Sequence, residues 1–508
     1  MAPINPFLEL FGKISEKIND KSSILIIDPA KGRVTEETIR PRELWGFNST
    51  IAAGNKVIMG PSYRKRDSIL IIDAEKKTVT KNEGLSKAYW GEWSMAAVNN
   101  KVIMGRSDIG NSILIIDTVK KTVTEKGGLS ESYWGFGSTV IVGNKVVMGP
   151  GEKFSHGRHS ILIIDTETDT IVEKSGLSYA SWGFNSTAIV GNKVVLGHGD
   201  RSIIIVDVDK MTVTEKGGLP MARWGYKSTA FVGNKVVMGP GNITSHDCRI
   251  LIIDTETETV TVKGGLGIGS WGYCNTVAVG NKVVMGDYNS IIIIDPVKGT
   301  VVKKGGLSPA KWGEGCTVVA TDKVIMGPGY RKKDSILIID PAKGTVTEKG
   351  GLSKAAWGFN SRAVIGNKVV MGPGDQGNSI LIIDPVQGAV IEKGGLSSAK
   401  WGLHSTAVTG NKAVMGPGDN YSNSILIIDT ETETVTETGG LSEACWGYNS
   451  TAVVGNKVVM GRRNRNGNSI LIVDTDKMAV TEKGGLSKAA WGNGCTVIAG
   501  DKVVMGSP

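Results

Sequence analysis

The chain has 508 residues, a formal net charge of +9, 40% apolar residues, 69 glycines and five cysteines. No apolar run reaches the ~20 residues a membrane-spanning helix needs, and a charge of +9 over this length permits an acidic partner without demanding one. Cys248, Cys274, Cys316, Cys445 and Cys495 are odd in number and lack metal-ligand spacing, so neither a disulfide framework nor a zinc site is expected. Buried thiols of this kind suit a reducing, cytoplasmic compartment.

Residues 1–21 precede everything periodic. Asn5-Pro6 is a cap followed by a first helical position. Phe7, Leu8, Leu10, Phe11, Ile14 and Ile18 then recur at helical spacing, with Glu9, Lys13, Glu16 and Lys17 opposite. The expectation is a short amphipathic helix that docks on the rest of the chain, on a partner or on a membrane surface. It lacks the basic start and unbroken apolar run of a secretory signal.

From residue 22 onward one unit returns, seen cleanly at 182–216. Residues 186–190 and 193–196 flank Gly191-Asn192, the type of pair that favours a tight hairpin turn. Residues 203–207 form a continuous β-branched run, as in a strand buried on both faces. Residues 212–216 alternate as a strand wetted on one side does. Such a four-stranded sheet has two apolar faces that it cannot cover alone, so it must stack against copies of itself. Trp-Gly recurs at Trp45, Trp90, Trp134, Trp182, Trp224, Trp271, Trp312, Trp357, Trp401, Trp446 and Trp491, and an Asp closes each buried run from Asp28 to Asp474. Eleven strand-built repeats of roughly 40–50 residues predict an all-β fold, a β-propeller of eleven four-stranded blades spanning 22–508.

The first strands of the series are the third and fourth of a unit, and the last are the first and second. One blade is therefore expected to join both termini and close the ring. Two tandem rings of five and six blades share the same strand phasing and stay open as an alternative. The repeated Trp is expected to pack between blades, and the closing Asp to shape an Asx-type turn.

GLPMARWGYKSTAFVGNKVVMGPG (218–241) and SILIIDPAKGTVTEK (335–349) resemble the two halves of a kelch repeat, and the Ile-Asp-Thr-x-Thr-x-Thr phrase is similar to YVTN-type propeller repeats. Two departures from the kelch pattern stand out. Gly-Pro-Gly replaces its diglycine at 239–241, and Ile339 and Val346 replace its later Tyr and Trp. The resemblance implies a scaffold for interactions more than an enzyme.

All length variation falls between the second and third strands, so those loops carry the individuality of the chain. Three are basic: Tyr63-Arg64-Lys65-Arg66, Tyr330-Arg331-Lys332-Lys333 and Arg462-Arg463-Asn464-Arg465. Aromatic, guanidinium and ammonium groups side by side suit phosphate or an acidic protein surface. The three lie on well-separated blades, which makes nucleic acid an unexpected partner. His156 and His159 are two donors without a third, and no phosphate-binding loop or nucleophile elbow occurs. With no catalytic constellation, cofactor or metal site in view, the expected function is protein–protein interaction through the variable loops. Multivalent glycan or polyanion binding, and an enzyme with its site at the channel mouth, are the alternatives.

Overall fold

The Gly-Asn pairs do close tight hairpins. In the computed structural model Gly191 has φ +58° while Asn192 does not have positive φ, which is the pattern of a turn with glycine first. Asn99 and Thr321 hold the same conformation where glycine is missing. The structure describes residues 22–39, 44–62, 64–151, 160–197, 201–241, 248–267, 269–418, 421–464 and 467–507. The segment 1–21, with its expected helix, lies outside them. The described residues contain strands and turns but no helix, so the helix is not part of the observed architecture.

Forty-four strands form eleven four-stranded antiparallel sheets. In the Trp182 blade they are Thr187–Val190, Lys193–Leu196, Ile203–Asp207 and Thr212–Lys216, paired in that order. The third strand is buried throughout because neighbouring blades cover both of its sides. Ile203 and Ile205, with Val195 of the same sheet, meet Trp224, Met238 and Ile253 of the next blade. Each such aliphatic side chain contributes roughly 1.5–3 kcal/mol on burial. All eleven signpost tryptophans lie in such seams, at most 2% exposed. In nine of the eleven the indole N–H is also used, as where Trp401 donates to the Ser397 carbonyl at 2.8 Å and Trp182 to that of Ser178 at 3.1 Å.

Blades meet most closely at the glycine ending each second strand. A Cβ on Gly372 would stand 1.9 Å from the Trp401 carbonyl oxygen, and one on Gly197 would stand 2.0 Å from that of Trp224. In ten of the eleven repeats a Cβ here would lie 1.7–2.2 Å from that oxygen, so no side chain fits; at Gly506 the distance is 3.0 Å. The links between blades are latched as well. Glu392, on an outermost strand, accepts the Ser353 N–H (3.0 Å) and the Ser379 hydroxyl (2.7 Å). Where Pro220 removes that N–H, Val262 replaces the glutamate. Where Gly267 stands in the serine's place, Lys303 replaces it and donates to the Leu266 carbonyl at 2.9 Å.

The Trp491 blade joins the two ends of the chain: Ser22–Asp28 pairs with Lys502–Gly506, and the Ser507 hydroxyl donates to the Ser23 carbonyl at 2.9 Å. The inner rim shows one ring rather than two. The residue three places after each Trp has positive φ in all eleven blades, and its N–H donates to the same position of the preceding blade. Ten such bonds, 2.7–3.2 Å long, run in sequence from Trp93 through Gly137 and Asn185 to Gly494 and back to Asn48. Rings of five and six would each have to bond back on themselves, so that alternative is excluded.

Candidate functional site

Antiparallel strands send their connections alternately to two faces of the ring, and the two faces differ chemically. On the turn face the lysine after the hairpin turn reaches the aspartate that closes the third strand in nine of the eleven blades, as in Lys282–Asp295 (2.6 Å), Lys193–Asp207 (3.1 Å) and Lys502–Asp28 (3.2 Å). Each aspartate also accepts backbone N–H groups of its own turn, as Asp295 does from Val297 and Lys298. The Lys282 hydrogen bond, helped by the Lys298 N–H, holds the Asp295 carboxyl below the usual range. Lysines at this position also cross to the next blade: Lys193 adds a contact to Glu258 at 2.7 Å, and Lys368 pairs with Glu433 at 2.6 Å. An open cavity of about 460 Å³ between the Trp357 and Trp401 blades is lined by this same Lys368, with Asn411 and Glu431. The face is thus built of charges that satisfy one another.

The opposite face carries the variable loops and the channel mouth. Two positions after the Trp, aromatic rings step across four successive blades: Phe136 on Phe184 (centroids 5.9 Å), Phe184 on Tyr226 (5.8 Å) and Tyr226 against Tyr273 (5.9 Å). Lys227 sits over Tyr226 and Tyr273, and Arg463 lies 4.3 Å from the Tyr448 ring centroid. Burial, with Cys274, Tyr226 and Glu314 nearby, pushes the Tyr273 phenol up to about 12. A cavity of about 280 Å³ opens at the rim, lined by Thr139, Asn185, Thr187, Lys227 and Thr229. Sequence reasoning missed this rim. Its signal was present: Gly or Asn at a fixed offset from Trp in seven of eleven repeats, the residues that tolerate positive φ.

The residues singled out from the sequence have different fates. Tyr63 and Arg465, like His156 and His159, lie outside the described residues. Arg64 and Lys65 are exposed, and Lys65 reaches across to Asp108 of the next blade at 2.8 Å. Lys332 does the same to Asp375 at 2.5 Å. Arg66 and Lys333 exchange backbone hydrogen bonds with Ala88 and Ala355, pinning their loops to the inter-blade links. Arg462 is not a loop-tip charge. It is 7% exposed, lies 4.9 Å from the Trp446 ring centroid, and donates to the Ser469 hydroxyl (3.0 Å) and the Glu443 carbonyl (2.9 Å). Arg106 stands in the same way against Trp90.

Apart from Arg64, Lys65 and Arg463, what stays exposed gathers over the Trp271 and Trp312 blades. The Arg331 guanidinium lies 5.0 Å from the Tyr288 ring centroid, and Lys311 lies 5.0 Å from that of Tyr330 while pairing with Glu314 at 3.2 Å. Tyr288 and Tyr330 are about half exposed. The second basic loop at Arg64 is on the Trp45 blade, far round the ring, so the structure does not merge the basic loops into one site. Among the described residues no group of three or more His, Cys, Asp or Glu could hold a metal ion. No helix among them is long and apolar enough to cross a membrane.

No family model matches the chain, and no curated protein matches it. Among solved structures it is similar to the computationally designed Ika8 protein, to apo AztD from Citrobacter koseri and to the dihydro-heme d1 dehydrogenase NirN in complex with DHE. Identities are 19%, 13% and 11%, with 65%, 67% and 65% of this chain and 94%, 95% and 72% of theirs covered. The TM-score is 0.37 in each case, too low to carry a functional argument.

Proposed function

We infer that the chain is a non-catalytic, kelch-like scaffold of the cytoplasm that binds another protein, one with acidic side chains, through its loop face. One observation carries the reading. The turn face is a repeated lattice of internal ion pairs, whereas the loop face holds the unlike residues, with Tyr288, Tyr330, Arg331 and Lys311 grouped across two blades. Tyrosine and arginine in clusters are the composition of interface hot spots, since they offer large contact area and directional donors at low entropic cost. The ion pairs of the turn face leave little for a partner to gain.

The test is recovery of a stoichiometric partner on the intact chain from its native cells. Tyr288→Ala with Arg331→Glu is expected to lose the partner, while Val297→Asp with Lys343→Ala on the turn face retains it. Loss with the turn-face pair, or retention with the loop-face pair, rejects the assignment.

A further inference from the structure

The position seven after each Trp is apolar in every repeat. In this ring it sits in the middle of each innermost strand, so the solvent it meets is that of the axial channel. Ile141, Phe231, Val364, Val408 and Ile498 are all 37–49% exposed there. Soluble proteins rarely leave a continuous apolar belt uncovered unless something binds it. The mouth above the belt has a related feature. Trp93 adopts φ +53° and is 57% exposed, in a conformation that costs a non-glycine residue roughly 1–2 kcal/mol. Gly or Asn stands at this position in seven of the eleven repeats.

The opening is of useful size. Eleven rim residues joined by hydrogen bonds at the ~4.8 Å spacing of paired strands give a circumference of about 53 Å and a width of about 17 Å between opposing Cα atoms. With side chains inward, that admits one polypeptide segment with its own side chains, whose diameter is about 10–12 Å if coiled as a helix.

We propose that the occupant is residues 1–21 of this chain, whose Phe7, Leu8, Leu10, Phe11, Ile14 and Ile18 cover the belt and the Trp93 indole. The topology supplies the tether. Ser22 begins a third strand that ends in a turn-face Asp, so the chain enters the fold on the loop face, beside the channel mouth. It enters two strand spacings from the innermost strand, about 10 Å, and 21 residues reach several times that distance. A tethered segment presents itself at an effective concentration on the order of millimolar, which favours it over a second copy at ordinary protein concentrations. The proposal goes beyond partner binding and needs no partner for its test.

Trp93 provides the readout, because the other eleven tryptophans are at most 2% exposed. In the purified full-length protein, acrylamide is expected to quench Trp93 weakly. Deleting residues 1–20 increases the quenching and shifts the accessible emission to longer wavelength, and Trp93→Phe removes the difference. Phe231→Glu or Val408→Glu in the full-length chain, both at half-exposed positions, should reproduce the deletion and hasten tryptic cleavage after Lys13 and Lys17. Quenching that is unchanged by the deletion overturns the proposal. So does protection of Trp93 that disappears on dilution, which identifies a second copy as the occupant.

Discussion

Alanine at Gly372 tests how tightly the blades are fitted. A Cβ there would lie 1.9 Å from the Trp401 carbonyl oxygen and 3.0 Å from its carbon, while real Cβ contacts are essentially never below 3.0 Å. The Trp357 and Trp401 blades must therefore separate by about 1.1 Å or more, the difference of those two limits. Neither side can yield locally. The Gly372 N–H donates to Ser361 at 2.7 Å, its carbonyl accepts the Gly358 N–H at 2.9 Å, and the Trp401 indole is fully buried. A gap near 1 Å forfeits a quarter to a half of the dispersion energy of each contact, so the expected loss is about 3 kcal/mol. Gly439→Ala is the control, since nothing lies within 4 Å of its Cβ and its φ is not positive; its effect should stay within about 0.5 kcal/mol. Urea unfolding followed by tryptophan fluorescence and circular dichroism measures both. Equal midpoints for the two variants would refute the close-contact account.

Other outcomes follow from single contacts. Asp295, Asp340 and Asp474 have carboxyls held below the ordinary range by lysine and backbone donors, so the stability they add is complete above about pH 4 and is lost as pH falls below it. A urea midpoint that is flat from pH 7 to 5 and drops in stronger acid fits this, and one that rises in acid does not. Glu392→Ala should cost about 1–3 kcal/mol by orphaning the Ser353 N–H; Val262→Glu, facing Pro220, should bring no matching gain in thermal midpoint. Burial pushes the Cys316 thiol up to about 11 and the Cys495 thiol up to about 12, so iodoacetamide should label them in urea and leave them untouched in the native protein. Trp93→Asn should raise the unfolding free energy by up to about 1 kcal/mol, and with it the urea midpoint, through relief of the positive φ; an unchanged or lower midpoint means that the indole serves the fold.

Much of the architecture could be read before any coordinates. The fixed Asp-to-Trp and Trp-to-Lys offsets set the strand phasing, and the apolar third strand required neighbours on both sides. The truncated first and last units required each other. These features repeat locally, within some 45 residues, and patterns of that range are written directly in the order of side chains. The distinction between variable and uniform loops was equally plain, because insertions accumulate where no strand pairing forbids them.

The rest depended on distance in the chain. One ring rather than two is decided by hydrogen bonds between equivalent rim residues of successive blades, and between Asn48 and Gly494 at the closure. No local pattern specifies those bonds. Arg462 and Arg463 are adjacent and chemically alike, yet the first is enclosed by Trp446 and Ser469 while the second stays exposed. Tyr288 and Arg331 come from different repeats and meet only because their blades are neighbours. The sequence by itself determined the blade, its copy number and which loops differ. Tertiary packing alone decided which of those differing residues face solvent together, because burial and adjacency arise where the blades touch.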